Sequence, residues 1–258
     1  MNRKTLFTFL SACLLFCSCS HIYEPALYQQ DIAYQPKPAS FDTVKTANYI
    51  SGGYNANPNS NNNDFLQSGQ VNLSRGHVFD NFNLAYGAFG VLGNYQNQGG
   101  SGAAGNFKDK FFGAYGGRAS ADVFVNSGRV DFRIIGVEMA YSHEFGSYSR
   151  FRQFLNTQPG YYVDPRTDLF SAGITTEVIF HNVKNVNFQH GIRLFLGTTF
   201  GHNELDDTFY SNESAQNRAF DHLFPKASYF MKIKNFFVII EKGKAGSTFA
   251  FVRLGYKF

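Results

Sequence analysis

The sequence predicts an all-β fold, an antiparallel up-and-down transmembrane barrel of about ten strands, with eight strands as the alternative. Apolar and polar residues alternate with a period of two, which is typical of strands with one apolar face. Long polar connections alternate with short turns, as in membrane-spanning barrels. Charged residues make up only 16% of the chain, against roughly 25% in a soluble domain. No apolar run reaches the roughly 18 residues of a membrane-spanning helix, so a soluble enzyme and a helical membrane protein are both disfavoured.

The amino-terminal residues have the pattern of a secretory signal. A short basic region, Met1–Lys4, precedes an apolar run at Leu6–Phe16. The run has 11 residues, which fits the roughly 7–15 residues of a signal peptide and is too short to span a bilayer. We therefore expect residues 1–18 to be a signal peptide that directs export.

All three cysteines lie in or directly after this signal, at Cys13, Cys17 and Cys19. Cys19 stands between two serines at the end of the apolar run, and this arrangement resembles the lipobox of bacterial lipoproteins, in which a small residue precedes the lipid-modified cysteine. The resemblance implies that Cys19 carries the lipid. Cys13 is the second candidate, and ordinary signal-peptidase cleavage near residues 18–20 is the alternative.

The next segment, residues 19–45, is predicted to be an extended tether. It contains Pro25, Pro36 and Pro38 and shows no helical period. A segment of about 25 residues reaches at most roughly 80 Å at about 3.3 Å per residue. We expect this lipidated tether to lie in the periplasm and the barrel to occupy residues 46–258. Whether the tether plugs the barrel or trails from it is open at this point.

Ten extended segments follow the tether. In the clearest of them Phe188 and Ile192 face one way and Arg193 faces the other. In the fifth segment the alternation shifts by one residue at Ile134–Ile135, which indicates a β-bulge. The predicted strands are approximately residues 46–54, 65–75, 82–95, 111–125, 129–142, 169–181, 186–200, 219–232, 236–242 and 248–258.

The inward faces of these strands collect charges of both signs. The predicted interior network consists of Arg118, Asp122, Asp131, Arg133, Glu138, Glu177, Arg193, Lys226, Lys232 and Arg253, with Glu241 beside them. Buried charges have to be paired or hydrated. A barrel of about eight strands is just filled by side chains, and ten strands leave little more room. We therefore favour a hydrogen-bonded plug that supports the wall over a narrow polar pore.

The connections between the strands predict which side of the membrane each end of the barrel faces. Those at 126–128 and 182–185 have the composition of tight hairpin turns, whereas those at 96–109, 145–167 and 202–218 are long and polar. The chain resembles bacterial outer-membrane barrels in this general pattern of short periplasmic turns and longer extracellular loops. An even number of strands then places both ends of the barrel on the periplasmic side.

The chain ends in an alternating apolar strand that stops at an aromatic residue, with Tyr256 and Phe258 on the apolar face. This ending resembles the carboxyl-terminal signal that outer-membrane barrels present to their assembly machinery. The resemblance implies that Tyr256 and Phe258 contact that machinery, and that outer-membrane lipid surrounds the barrel. The general resemblance covers nearly the whole chain, but no motif selects one family.

Three groups of residues have the composition of chemical sites. Residues 100–105 spell the GxGxxG of dinucleotide sites, but a strand pattern follows where that site needs a helix. Ten strands resemble the omptin proteases, and residues of the same types occur here without the family's spacing at His202, Glu204, Asp206, Asp207, Asp221 and His222. The first four of these are also weak candidates for Ca²⁺. Ser142, His143 and Glu144 are the residue types of barrel lipid A deacylases, although adjacent strand residues point to opposite faces.

These patterns favour a structural or interaction role in the cell envelope without catalysis, cofactor or metal. Aromatic residues of the longest loop are candidate contacts for an envelope protein: Phe145, Tyr148, Phe151, Phe154, Tyr161 and Tyr162. A narrow channel for small polar solutes is the alternative, and a surface hydrolase of the omptin or deacylase kind is the second alternative. The net charge of +4 is too small and too scattered for a nucleic-acid partner.

Overall fold

The computed structural model describes residues 22–59, 64–97, 109–159, 161–182, 185–200, 223–245 and 247–258. The elements are β1 (Ile22–Tyr23), β2 (Thr46–Asn59), β3 (Asp64–Val78), β4 (Phe82–Asn97), β5 (Lys110–Ser127), β6 (Val130–Gly146), α1 (Ser147–Leu155), β7 (Tyr162–Val163), β8 (Asp168–Asn182), β9 (Asn185–Thr199), β10 (Phe224–Ile233), β11 (Phe236–Ala245) and β12 (Ser247–Lys257).

Ten of these strands close into one barrel. Each strand pairs antiparallel with the next in the order β2, β3, β4, β5, β6, β8, β9, β10, β11, β12, and β12 pairs back with β2. The predicted fold class and the count of ten strands are therefore confirmed. No helix among the described residues is long and apolar enough to cross a membrane.

Several strands, among them β2 and β6, extend further at the loop end than the sequence pattern predicts. β2 continues to Asn59 instead of ending near residue 54. The last residues of β2 are rich in asparagine, a composition typical of loops. Asn57 nevertheless points into the barrel and is buried. Polar residues on an inward face and polar residues in a loop have the same composition, so the pattern could not separate them.

The predicted β-bulge in β6 is present. The register of β6 with β8 shifts between Arg133 and Gly136, and the register of β5 with β6 shifts between Val123 and Phe124. Ile134 and Ile135 are 48% and 56% exposed, so both adjacent side chains face outward. The extra residue restores the alternation on both sides of the bulge.

The outward face of the barrel is apolar. Side chains such as Val71, Ile174 and Leu254 are more than half exposed. Within the described strands, outward-facing charges lie towards the strand ends, as at Arg75 and Lys242. Aromatic side chains lie on this face towards both ends, including Tyr54, Phe111, Tyr115 and Phe170 at one end and Phe82, Phe180, Phe236 and Tyr256 at the other. An uncharged band between aromatic girdles is the surface of a barrel that spans a membrane.

His190 lies on this outward face, as its place in the strand register predicts. Its ring is 5.3 Å from that of Phe180, 5.7 Å from that of Phe188 and 6.3 Å from that of Tyr229. The imidazole is thus part of the aromatic girdle at the turn end of the barrel. Residues of this kind, with an apolar body and a polar edge, suit the membrane interface.

Residues 23–42, which we call the lumen segment, pass through the interior of the barrel. All of residues 23–39 are buried except Glu24 and Gln30, which are half-buried. Whether this part of the chain plugs the barrel was open from the sequence, and the structure places it inside the barrel, so the expected periplasmic position is wrong for residues 23–39. A ten-stranded barrel leaves slightly more room than its own side chains fill, and the lumen segment occupies that room.

Candidate functional site in the barrel lumen

The lumen segment begins at the loop end of the barrel. β1 pairs in parallel with β7, which lies in the connection between β6 and β8. The backbone N–H of Asp164 donates to the carbonyl of Tyr23 at 2.9 Å, and the hydroxyl of Tyr148 donates to the carbonyl of Glu24 at 2.9 Å. The backbone N–H of Ala26 donates to Oε2 of Glu144 at 2.6 Å.

An aromatic cluster covers this end of the lumen segment. The ring of Tyr23 lies 5.6 Å from that of Phe151 in α1 and 6.4 Å from that of Tyr95. Tyr95 stacks on Tyr148 at 4.4 Å. Leu155 is fully buried in the same cluster. α1 thus forms a lid over the loop end, and its apolar side faces the lumen segment.

In the middle of the barrel the lumen segment is bonded directly to the charged wall. The N–H of Tyr34 donates to Oε1 of Glu241 at 2.9 Å, and the hydroxyl of Tyr34 donates to Oε1 of Glu177 at 2.5 Å. Arg253 donates to the carbonyl of Tyr34 at 2.8 Å, and Lys226 donates to the carbonyl of Ile32 at 2.6 Å. Backbone groups of an extended chain have no partners of their own, so charged side chains of the wall satisfy them.

The lumen segment ends at the turn end of the barrel with ionic contacts. Lys37 forms a buried ion pair with Asp122, and the N–H of Ser40 donates to Oδ2 of Asp131 at 2.6 Å. Asp42 accepts from Lys257 at 2.9 Å and lies 3.3 Å from the ammonium group of Lys232. Burial raises the pKa of Asp42, but the ammonium groups of Lys232 and Lys257 outweigh burial and hold that pKa below its ordinary value.

The structure places every member of the predicted interior network inside the barrel, and each is at most 7% exposed. Arg133 pairs with Glu177, and Arg193 donates to Glu138 through Nε at 2.7 Å. Arg253 pairs with Glu241, which is also 3.8 Å from Arg193. The charges on neighbouring strands thus neutralise one another, and three of the same groups, Glu177, Glu241 and Arg253, also bind Tyr34 of the lumen segment.

Sequence reasoning missed the ion pair that holds the lid. Arg152 of α1 is fully buried and donates to Oε1 of Glu144 at 2.7 Å. Arg152 also donates to the carbonyl of Arg166 at 3.0 Å and to that of Asp164. Arg152 and Glu144 are only eight residues apart. The sequence pattern places Arg152 in a loop and Glu144 in a deacylase-like triplet, so it does not predict that the two form a pair.

The aromatic residues of the longest loop separate into two groups. Tyr148 and Phe151, predicted as partner contacts, are 2% and 9% exposed, and they pack on the lumen segment. Phe154 and Tyr161 are 58% and 40% exposed. The prediction of exposed contacts is therefore wrong for the first pair, because α1 turns one side towards the barrel.

The candidate catalytic groups do not converge among the described residues. Ser142 and Glu144 are buried on the inward face, whereas His143 faces outward and lies 2.9 Å from Asp168. The candidates at His202, Glu204, Asp206, Asp207, Asp221 and His222 and the glycine-rich residues 100–105 lie outside the described residues. Within the described part of the chain, no group of three histidine, cysteine or acidic residues is placed to hold a metal ion.

Among the described residues, the cavities between the lumen segment and the wall in the middle of the barrel are small. A cavity beside Tyr34 and Arg118 has a volume of about 10 Å³, and a cavity beside Ile32 and Lys226 has about the same volume. A volume of about 10–15 Å³ holds roughly one water molecule. Neither cavity has the size of an aqueous path for ions.

The last strand closes the barrel against the first. The side chains of Tyr256 and Phe258 face outward and are 37% and 63% exposed. The N–H of Phe258 donates to the carbonyl of Asn48 at 3.0 Å, and the N–H of Asn48 donates to the carbonyl of Phe258 at 3.1 Å. The role of Tyr256 and Phe258 as an assembly signal stays a prediction.

Solved structures with a similar arrangement are outer-membrane barrels. The transport unit of the autotransporter AIDA-I from Escherichia coli is 8% identical, with a TM-score of 0.38, and the match covers 86% of this chain and 93% of that one. Neisserial surface protein A is 11% identical, with a TM-score of 0.33, over 83% and 96% of the two chains. The outer-membrane protease OmpT from Escherichia coli is 7% identical, with a TM-score of 0.35, over 84% and 98%. No protein-family model and no curated protein matches the chain.

Proposed function

We propose that this protein is a non-conducting outer-membrane barrel with a structural or interaction role in the cell envelope. The observation that supports this proposal is the lumen segment, which is bonded to the wall from the lid at one end to Asp42 at the other. A channel for polar solutes needs a continuous path of water, and the lumen segment fills that path. Catalysis needs convergent groups, and the described residues do not bring such groups together.

The loop face is the surface we assign to an envelope partner. Phe154 and Tyr161 project from the lid and the residues after it, and both are exposed. Exposed aromatic side chains on a rigid support are favoured anchors of protein interfaces. The buried pair Arg152 and Glu144 fixes that support. The partner would therefore be an envelope protein that reaches the loop face.

Planar-bilayer recordings of the full-length protein test the closed lumen. We expect no steady current from the wild-type protein. A substitution that displaces the lumen segment should give a steady current. Gly76 is a suitable position, because a Cβ atom there would lie 2.9 Å from Cδ of Pro38 and 3.1 Å from Cα of Lys37. Gly76→Leu should therefore displace the segment and give measurable conductance.

Gly69→Leu is the matched control on the same strand. Gly69 faces outward, and a Cβ atom there would have nothing within 4 Å. We expect this variant to remain silent, and the retarded migration of unheated protein on gels should show that both variants still form barrels. A steady current through the wild-type barrel would contradict the proposal and restore the channel.

A further inference from the structure

The lumen segment runs in one direction from the loop end to the turn end. Tyr23 is bonded to Asp164 in the longest loop, Tyr34 to the middle of the wall, and Asp42 to Lys257, next to the end of the chain. After Asp42 the chain continues into β2, and the carbonyl of Lys45 accepts from the N–H of Val78 at 2.8 Å. Residues 22 and 258 therefore lie at opposite ends of the barrel.

The position of residue 22 limits the position of the predicted lipid-bearing residue. Cys19 stands three positions before Ile22, with Ser20 and His21 between them. A fully extended chain covers at most about 3.6 Å per residue, so three residue steps from Ile22 cover at most about 11 Å. The hydrocarbon core of a bilayer is about 30 Å thick, which this reach cannot cross.

We propose that the amino-terminal end is displayed on the outer face of the membrane, and that acyl chains on Cys19 insert into the outer leaflet from that face. This inference rests on the path of the lumen segment, on which the proposed function also depends, and on the usual placement of long loops outside the cell. It reverses the expectation that the lipidated segment lies in the periplasm. The barrel would thus carry its own lipid anchor across the membrane.

The surface at the loop end of the barrel, where the lumen segment begins, is suited to such an anchor. The ring of Tyr161 lies 6.3 Å from that of Tyr23 and is 40% exposed. Phe145 is 41% exposed on the outward face at the loop end of β6. Acyl chains at the loop end of the barrel would contact these aromatic side chains before they reach the lipid. Burial of the acyl CH₂ groups is favourable, so the anchor would hold the amino-terminal end at the membrane.

Cysteine labelling of intact cells tests the display. Three variants are compared in a chain that keeps Cys19: His21→Cys, directly before Ile22 in the sequence, Phe154→Cys on the lid and Lys45→Cys at the turn end. We expect a membrane-impermeant maleimide to label the first two on intact cells, and Lys45→Cys only after the outer membrane is permeabilised, with a difference of at least about tenfold. The wild-type chain gives the background.

Two labelling patterns would overturn the display. If His21→Cys behaves like Lys45→Cys, the amino terminus lies at the turn end. If His21→Cys and Phe154→Cys are both protected while Lys45→Cys is labelled on intact cells, the barrel is inserted the other way. Conductance is measured separately, so an open barrel with the expected labelling would remove the closed lumen without removing the display.

Incorporation of an alkyne fatty acid tests the lipid itself. We expect the wild-type protein to incorporate the probe, Cys13→Ala to retain it and Cys19→Ala to lose it at least about tenfold, relative to the amount of protein on an immunoblot. Unchanged incorporation in Cys19→Ala, or none in the wild type, would overturn the lipid assignment.

Discussion

The two ends of the lumen segment are held by different forces. At the loop end Tyr23 and Leu27 are buried in an aromatic cluster beneath α1. At the turn end Lys37, Ser40 and Asp42 are held by charged side chains of the wall. The turn end continues directly into β2, so the backbone itself ties it to the barrel. The loop end has no such tie, and it has the larger apolar contact.

The difference shows what closing a barrel with its own chain requires. An end that is covalently continuous with the wall needs only to be oriented, and charge pairs orient well. An end that is not continuous with a barrel strand has to be stabilised by burial, because apolar burial supplies most of the free energy of a packed contact. The following variants separate these two contributions.

Arg152→Met should have the largest effect, and the effect should be confined to the loop end. The substitution removes a fully buried guanidinium and leaves Glu144 without its charged partner. Breaking one side of a buried ion pair costs about 3–5 kcal/mol. Hydrogen exchange of α1 and of the backbone around Tyr23 should show opening that is easier by about this amount. Unchanged exchange there would show that the pair does not hold the lid.

Tyr23→Ala should weaken the same end through burial alone. Tyr23 is 3% exposed, and its ring meets three other aromatic rings. Truncation of a buried aromatic ring costs about 3 kcal/mol or more. We expect residues 23–30 to become sensitive to protease added from the loop side. Phe154→Ala is the control, because that ring is 58% exposed and its loss should change stability by less than about 0.5 kcal/mol.

Asp42→Asn should have the smallest effect, and it should depend on pH. The pKa of Asp42 is lower in the folded protein than its ordinary value of 3.8. Its stabilisation is therefore complete above that value and is lost as the pH falls through the folded pKa. The wild type should exceed the variant by about 1–2 kcal/mol in unfolding free energy at pH 7.

Urea unfolding in detergent at several pH values measures that difference. The gap between wild type and Asp42→Asn should be constant from pH 7 to about pH 5 and should narrow below about pH 4. Tyr23→Ala should show no such narrowing. A gap that does not change with pH would mean that the charge of Asp42 does not hold the turn end.

The barrel could be predicted from the sequence because its signals are local. Alternation along each strand identified the ten strands and even the bulge at Ile134–Ile135, since each inward or outward side chain follows from its immediate neighbours. The inward position of residues such as Arg193 and Glu177 followed in the same way. The path of residues 23–42 did not, because their partners lie 85 to 219 residues away in several contacts.

The path of residues 23–42 depends on the free volume of the barrel interior and on the charges that line it. The interior of ten strands leaves room for an extended chain, and wall charges such as Asp122, Asp131 and Lys232 have partners in that chain. Lys37 and Asp42 are complementary to Asp122 and Lys232, but complementarity of single charges is not specific enough to fix a path. The sequence also does not predict which side of α1 is buried, because that depends on the lumen segment packed beneath the helix.

The pairing of β12 with β2 has a consequence for the order of assembly. Eight residue pairs from Ala250–Ala56 to Lys257–Tyr49 join the last strand to the first, and the lumen segment lies immediately before that first strand. The barrel is therefore closed by a pairing that joins the two ends of residues 46–258. A lumen segment that already lies between the strands when this pairing forms does not have to pass through a closed barrel. An acyl group at its far end would then be no obstacle to closure.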